Sequence, residues 1–187
     1  LLGQKILHMK MGILFYRVNG NKKDYLMIDN NERKRYEDFG GCVEDKDKNI
    51  LETIKRELLE ESNNIFNKYL VNNELNGLIE NSTKLYNKNN KYLLLINEIP
   101  ENMKNINLKQ YGTREKHDNI DRVLDWIPHD KLLDREFRNK LNYRLLFKEF
   151  LNHIYNDSIK SNKIVILKKD NSGVNNSKLE ECINIIN

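Results

Sequence analysis

The sequence contains no alanine and only a few cysteine, proline and tryptophan residues. Of its 187 residues, two are Cys, two are Pro and one is Trp. Cys42 and Cys182 are far apart and lack the spacing of a metal site, so we expect two free thiols in a reducing compartment. This pattern argues against a small disulfide-stapled domain and against a cysteine-ligated zinc module.

Long hydrophobic runs are also absent. No segment approaches the roughly 20 consecutive apolar residues that a membrane-spanning helix needs. The first residues show no apolar run followed by a small-residue cleavage site, so we predict no signal peptide. The expected location is therefore intracellular, in the cytoplasm, with no membrane partner.

The charge balance is mildly basic. Lys and Arg number 32 against 28 Asp and Glu, which gives a net charge of +4. Hydrophobic residues make up 39% of the chain, which is enough to form a core and argues against wholesale disorder. The charge is compatible with an anionic substrate, but it does not identify nucleic-acid binding by itself.

Apolar runs of strand length alternate with turn-forming residues. Residues 11–18 and 25–28 predict one hairpin, and residues 83–86 and 92–99 predict a second. Residues 123–127 predict a further strand. No internal repeat is present.

Two segments predict helices. Residues 50–62 lack Gly and Pro, and Leu51, Ile54 and Leu58 fall in one narrow stripe at about 100° per residue. Residues 134–155 predict a second, longer helix, and residues 164–167 a late strand or edge addition, followed by a polar tail. The expected fold class is α/β of the α+β type.

Three carboxylates share one face of the first predicted helix. Relative to Glu57, Glu61 lies about +40° around the axis and Glu60 about −60°. Mg²⁺ prefers oxygen ligands of this kind, and Gly40 and Gly41 ahead of the helix allow the backbone to approach a metal or phosphate closely. A solvated acidic helix face is the more common explanation of the carboxylates when they are taken alone.

Together these residues resemble the Nudix box. Arg56-Glu57-Leu58, followed by Glu60-Glu61, matches the core of that motif, and Gly40-Gly41 matches its opening glycines. The Gly12-containing strand and the strand that carries Trp126 look like the family's usual flanking strands. The resemblance covers residues 9–156 and implies a mixed β-sheet sandwiched between helices, with residues 157–187 as a C-terminal extension.

The sequence departs from the box at three places. The segment from Gly41 to Arg56 is one residue longer than the pattern. The upstream glutamate of the motif is replaced by Asp47, with Glu44 as the other candidate. The late glycine is replaced by Asn63, or by Asn64 in a slipped register, and Asn tolerates the left-handed conformation that ends many helices.

The resemblance implies a metal site and a set of catalytic residues. Mg²⁺ or Mn²⁺ would be held by Glu57, Glu60, Glu61 and the carbonyl of Gly40. The candidates for the base that orients or deprotonates water are Glu57, Glu61 and Glu115. Glu98 and Asp118 are weaker candidates, and each of these acids has an ordinary solvated role as its alternative. We expect Arg56 to orient the loop through an acid, or to form a surface pair with Glu52.

Substrate recognition is less well specified. Arg17 and Gly41 are the candidate substrate-binding residues. The expected substrate is a phosphorylated small molecule, a nucleoside diphosphate linked to another group, or a capped RNA, and a diphosphoinositol phosphate is also conceivable. The predicted function is hydrolysis of the diphosphate linkage. The alternatives are mRNA decapping, a catalytically silent Nudix-like binding module, or an unrelated α/β interaction domain; no obligatory protein partner or oligomeric state is indicated.

Overall fold

The computed structural model describes residues 9–20, 22–67 and 74–156. Within these ranges the chain forms seven strands that belong to one sheet. They are β1 (Lys10–Asn19), β2 (Lys22–Asn30), β3 (Arg35–Glu37), β4 (Phe39–Cys42), β5 (Thr83–Asn87), β6 (Tyr92–Glu98) and β7 (Arg122–Pro128).

Five α-helices accompany the sheet in the described ranges. They are α1 (Ile50–Glu61), α2 (Glu74–Glu80), α3 (His129–Leu133), α4 (Arg135–Arg138) and α5 (Lys148–Asn156). Short 3-10 turns occur at Glu101–Met103, Leu108–Gln110 and Tyr143–Leu145. None of these described helices is long and apolar enough to cross a membrane.

The sheet is mixed, with the order β3-β2-β1-β6-β5. Strand β1 runs parallel to β6 and antiparallel to β2. The first part of β1, residues 10–13, pairs with β4, and its later part, residues 15–19, pairs with β2. The chain from β3 to β4 therefore leaves the edge of β2 and joins β1 at Asp38, which lies between the two strands.

Helices pack on both faces of the sheet. Successive side chains of a strand point to opposite faces, and β1 shows this directly. Ile13 and Phe15 belong to the core cluster that includes Ile54 of α1, whereas Leu14 belongs to the cluster that includes Phe150 of α5. The predicted mixed α and β class is confirmed.

Both predicted hairpins and the first predicted helix are confirmed. β1 pairs with β2 and β5 pairs with β6, each antiparallel, and α1 covers most of residues 50–62. The strand predicted at residues 123–127 is β7. β3 and β4 were not expected, because each is only three or four residues long and Phe39 is followed by two glycines, which leaves no apolar alternation to mark a strand.

The prediction of one long helix over residues 134–155 was wrong. The segment is divided into α4, a 3-10 turn and α5. The backbone N–H of Tyr36 donates to the carbonyl of Lys140, and the N–H of Asn142 donates to the carbonyl of Tyr36, at 2.8 Å each. These bonds form a parallel β-bridge between Tyr36 and Leu141, which a continuous helix through residue 141 cannot provide. The strand predicted at residues 164–167 and the extension at 157–187 lie outside the described residues.

Two glycines lie opposite each other where β1 and β4 pair. Gly12 of β1 and Gly40 of β4 face each other in the antiparallel register. A Cβ atom at Gly12 would overlap the Tyr92 hydroxyl and the Asp38 carboxylate, and it would lie 2.7 Å from the carbonyl oxygen of Phe39. Glycine at position 12 is therefore needed to leave room for the buried Tyr92–Asp38 hydrogen bond.

We predict that Gly12→Ala lowers the free energy of unfolding by about 3 kcal/mol, the upper end of the usual range for overpacking a core. The large effect is expected because a backbone oxygen, that of Phe39, is among the atoms that the new Cβ would displace. Gly77→Ala is the matched control, since a Cβ there meets nothing within 4 Å. In helix α2 that change is expected to stabilise by about 0.5–1 kcal/mol. Urea denaturation of both variants measures the difference, and equal effects would contradict the close-approach argument.

Candidate active site

Helix α1 is built to present its acidic face beside β4. Asn49 caps its first turn, with the side-chain oxygen accepting the N–H of Glu52 at 3.0 Å. Ile54 and Leu58 are buried in the core cluster on that face of the sheet. Because this apolar stripe is buried, the carboxylates on the adjacent face of the helix lie at the edge of the core.

The glycine bend and the acidic helix are in direct contact. The backbone N–H of Gly40 donates to Oε2 of Glu61 at 2.6 Å. The Glu57 carboxylate lies against the Cα of Gly41, so closely that a Cβ there would overlap the carboxylate oxygens. The structure thus brings together four of the predicted site residues, Gly40, Gly41, Glu57 and Glu61.

Glu61 is the most strongly perturbed acid of this group. Its side chain is 12% exposed, and Oε1 accepts a hydrogen bond from Nη1 of Arg122 at 3.1 Å. Burial raises the pKa of Glu61 to about 8, although the nearby positive charges of Arg144 and Arg122 act in the opposite direction. The neighbouring Glu57 carboxylate raises that pKa further. Glu61 is therefore an acid whose ionisation lies close to neutral pH.

Glu57 and Glu60 differ in their surroundings. Burial raises the pKa of Glu57, whose Oε1 accepts Nη1 of Arg56 at 2.8 Å. Glu60 is more open, with its side chain 25% exposed. Its Oε1 lies 3.8 Å from Nε2 of His117 and 4.0 Å from Nζ of Lys46. Its Oε2 also accepts a hydrogen bond from Nη1 of Arg56 at 3.2 Å, so the same guanidinium joins Glu60 to Glu57.

Arg56 fastens the loop that precedes the helix. Its Nε and Nη2 donate to the two carboxylate oxygens of Asp47 at 3.0 and 2.8 Å, and Nη2 also donates to the carbonyl of Cys42 at 2.9 Å. The expectation that Arg56 orients the loop through an acid is confirmed, and Glu52 is not its partner among these contacts. Asp47 is 4% exposed and Glu44 is 47% exposed, so Asp47 is the buried partner.

Arg144 holds the other side of the glycine bend. Its Nε donates to Oδ1 of Asp38 at 2.8 Å, Nη2 to the carbonyl of Asp38 at 2.7 Å, and Nη1 to the carbonyl of Gly40 at 2.8 Å. Asp38 also accepts the buried Tyr92 hydroxyl. The sequence offered no indication of this role, because Arg144 lies within a segment predicted to be one helix and about 100 positions from its partners.

Arg122 was also missed; it is the first residue of β7 and lies directly before the strand predicted at residues 123–127. It lies between Glu61 and the buried Glu37, with Nη2 3.9 Å from Oε2 of Glu37. In the part of the chain that the structure describes, Nε of Arg122 and the hydroxyl of Tyr111 are buried without a hydrogen-bond partner. Burial raises the pKa of Tyr111, and the charges of Arg122, Glu115 and Glu61 all act on it. Unsatisfied polar groups therefore lie close to Glu61.

Glu115 is buried, but its carboxylate is occupied by its own loop. One oxygen accepts the backbone N–H of His117 and the other that of Asp118, the latter at 2.7 Å. Asp118 itself is exposed, and Glu98 forms an ion pair with Lys104 at 3.2 Å. None of these contacts joins Glu115, Glu98 or Asp118 to Glu57 or Glu61.

Arg17 lies on the same face of the sheet as α1, two residues after Phe15 on β1. Its guanidinium donates to Oδ2 of Asp24 at 3.1 and 3.2 Å and lies 4.3 Å from the ring centroid of Trp126. The side chain remains partly exposed. Arg17 thus offers a stacked, half-open guanidinium, and no contact in this set joins it to the acidic helix.

The fit of a metal ion has two sides. Within residues 9–20, 22–67 and 74–156, no group of three or more His, Cys, Asp or Glu side chains is gathered as a metal site. The oxygen donors of the bend and helix nevertheless have the chemistry that a hard divalent cation requires. Negative charge is also in excess, because four arginines pair with five acids whose side chains are at most 12% exposed. The arginines are Arg33, Arg56, Arg122 and Arg144, and the acids are Glu37, Asp38, Asp47, Glu57 and Glu61.

A comparison with protein-family models found no match to this chain, and a search of curated proteins found none. The case for any function therefore rests on the residues and contacts described above.

We predict that Asp47→Asn lowers the free energy of unfolding at pH 7 by about 2 kcal/mol. The hydrogen bonds from Arg56, the largest favourable cause, lower the pKa of Asp47 from 3.8 to about 2. Because the folded-state pKa is depressed, the stabilisation is present above about pH 4 and is lost as the pH falls towards 2. Chemical denaturation from pH 7 to 2 measures this dependence.

Asp45→Asn is the matched control, because Asp45 is an exposed acid in the same loop. Its stability curve should follow that of the wild type. A constant difference between the wild type and Asp47→Asn at all pH values would contradict the assigned charge interaction.

Proposed function

We propose that this protein is a Nudix-type, metal-dependent hydrolase that cleaves a diphosphate linkage in a nucleoside diphosphate derivative. The observation that carries the proposal is the contact between the glycine bend and the box-like helix. Glu61 accepts the N–H of Gly40, and Glu57 packs on Gly41. A solvated acidic face, the ordinary alternative, would leave these two carboxylates exposed, and both are 12% exposed.

The residues that would hold Mg²⁺ or Mn²⁺ are Glu57, Glu61 and the carbonyl of Gly40, with Glu60 as the more exposed carboxylate. Such an ion polarises phosphoryl oxygens, lowers the pKa of bound water and neutralises a leaving phosphate. The Gly40 carbonyl accepts one hydrogen bond, from Arg144, and a carbonyl oxygen has a second lone pair. Binding a cation here would offset the excess of buried negative charge.

Glu57 and Glu61 are better supported as the general base than Glu115. A base works best when its pKa lies near the working pH, and burial raises the pKa of both helix carboxyls. Both oxygens of Glu115 are instead bonded to backbone amides of its loop. A buried carboxylate with this arrangement stabilises the loop conformation.

The surroundings of the helix suit an anionic substrate. Two exposed basic side chains lie near Glu60. Lys46 comes from the loop before the helix, and His117 comes from the loop before β7. Gly41 presents bare backbone beside Glu57. Arg17, stacked on Trp126 on the same face of the sheet, is the candidate contact for a more distant part of the substrate.

A binding module without catalysis is the second candidate, and one observation favours it. The carboxylates of Glu57 and Glu60 already pair with Arg56 and that of Glu61 with Arg122, and within the described residues no group of three acids is gathered as a metal site. In that case the site would bind a phosphorylated ligand through its basic groups without a cation. Hydrolysis that requires Mg²⁺ or Mn²⁺ separates the two candidates.

We predict that Glu61→Gln reduces metal-dependent hydrolysis by at least 10²-fold, because the variant loses a carboxylate that both the ion and the water need. The substrates are nucleotide sugars, dinucleoside polyphosphates, oxidised deoxynucleotides and capped RNA, each with Mg²⁺ or Mn²⁺ and each scored by product identity. Removal of the metal by EDTA should abolish turnover, and added Mg²⁺ should restore it.

Glu52→Gln provides the control on the same helix. Glu52 accepts the N–H of Lys48 at 2.8 Å, a bond that the Gln carbonyl can also accept. This variant should keep wild-type activity. Full activity of Glu61→Gln on every hydrolysed substrate would sink the catalytic assignment, and turnover without any metal would sink the mechanism.

A further inference from the structure

Asn63 stands where the Nudix box has its late glycine, directly after helix α1. Its φ of 51° is in the left-handed region, and Asn64 follows with a φ of 61°. Glycine adopts this conformation most easily, and Asn tolerates it. The end of the helix therefore depends on the backbone conformation of residue 63 and does not require a side chain at that position.

The side chain of Asn63 is nevertheless fully engaged. Its Nδ2 donates to the carbonyls of Tyr111 and Arg114 at 2.9 Å each, and its Oδ1 accepts the N–H of Lys116 at 2.8 Å. Both donors and the acceptor of the amide thus bind backbone groups of residues 111–116. These residues belong to the loop of residues 111–118, which we call the 111–118 loop. A glycine at this position supplies none of these bonds.

The loop that Asn63 holds is itself well ordered by local contacts. Glu115 accepts the backbone N–H groups of His117 and Asp118, and Arg114 pairs with Asp121 at 2.7 Å. The N–H of Glu115 donates to the carbonyl of Ile120 at 2.8 Å. These bonds fix the shape of the loop, but they do not attach it to helix α1.

The same loop carries groups into the acidic site. His117 reaches to 3.8 Å from Oε1 of Glu60. The buried Tyr111 hydroxyl has no hydrogen-bond partner among the described residues, and the charges of Glu61 and Arg122 act on it. The position of the loop relative to the helix therefore decides where these two groups lie.

We propose that Asn63 is a positioning residue: its amide docks the 111–118 loop against the carboxylate end of α1, so that the loop forms one wall of the diphosphate site. This inference rests on the proposed function for the meaning of the site. The docking itself stands on three hydrogen bonds between Asn63 and the loop. The departure from the box at this position thus adds a structural link that glycine cannot make.

Three variants separate the side chain from the backbone. Asn63→Gly keeps the left-handed turn and removes the amide. Asn63→Asp keeps the size and one acceptor but turns a carboxylate towards two carbonyl oxygens. Asn64→Gly is the matched control, because Asn64 has the same left-handed backbone conformation as Asn63. The backbone N–H of residue 64, which donates to the carbonyl of Leu59, is kept in this variant.

Amide hydrogen exchange of the 111–118 segment is the first measurement. In Asn63→Gly and Asn63→Asp, exchange at the Lys116 amide and its neighbours should rise about tenfold or more, whereas Asn64→Gly should match the wild type. Steady-state kinetics with the substrate found above is the second. In both Asn63 variants kcat should fall roughly tenfold, equivalent to about 1.4 kcal/mol, with a smaller change in KM, as expected for a loss of transition-state geometry.

Unchanged exchange in both Asn63 variants would overturn the docking role. A loosened loop with unchanged kcat would overturn its place in the site, and so would equal kinetic losses in Asn63→Gly and Asn64→Gly. If Asn63→Gly does not fold, Asn63→Asp decides by the same criteria. If the wild type hydrolyses no substrate, the proposed function fails, and the exchange measurement still decides whether Asn63 holds the loop.

Discussion

The structure of this protein depends on placing two carboxylates, Glu57 and Glu61, almost out of solvent beside a bare glycine backbone. Burying an unpaired charge costs far more than a domain can supply, so each carboxylate must have a cationic or N–H partner. Arg56 and Arg122 pair with them, and the Gly40 N–H binds Glu61. The raised pKa of Glu61, about 8, indicates that these partners do not fully offset the burial.

The arginines connect this site to the topology of the sheet. At Asp38 the chain passes from the edge of β2 to the edge of β1, and a carbonyl at such a crossing has no strand partner to bind it. Arg144 binds that carbonyl, the Asp38 carboxylate and the Gly40 carbonyl together. The same guanidinium therefore satisfies the crossing and fixes the glycine bend. Gly12 leaves space for the Asp38 carboxylate that the guanidinium binds.

The sequence predicted what local pattern controls and missed what distant contacts control. The strands of both hairpins follow from apolar runs separated by turn residues, and helix α1 follows from its helical periodicity. The motif drew attention to the glycine bend, Glu57 and Glu61, which the structure places in contact. Arg122 and Arg144 could not be found, because their partners lie tens to about a hundred positions away. The long helix failed for the same reason: pairing of residues 140–142 with Tyr36 overrides local helix propensity.

The arginine pairing also explains how one arrangement can support two functional candidates. An ion that enters beside Glu57 and Glu61 must compete with guanidinium groups for the same carboxylate oxygens. Its positive charge would offset the negative charge that the arginines leave unbalanced. Glu60 also pairs with Arg56, and its side chain, at 25% exposed, is the most open of the three helix carboxylates. The relative affinity of a metal ion and of the arginines for these two buried carboxylates therefore distinguishes the two proposals.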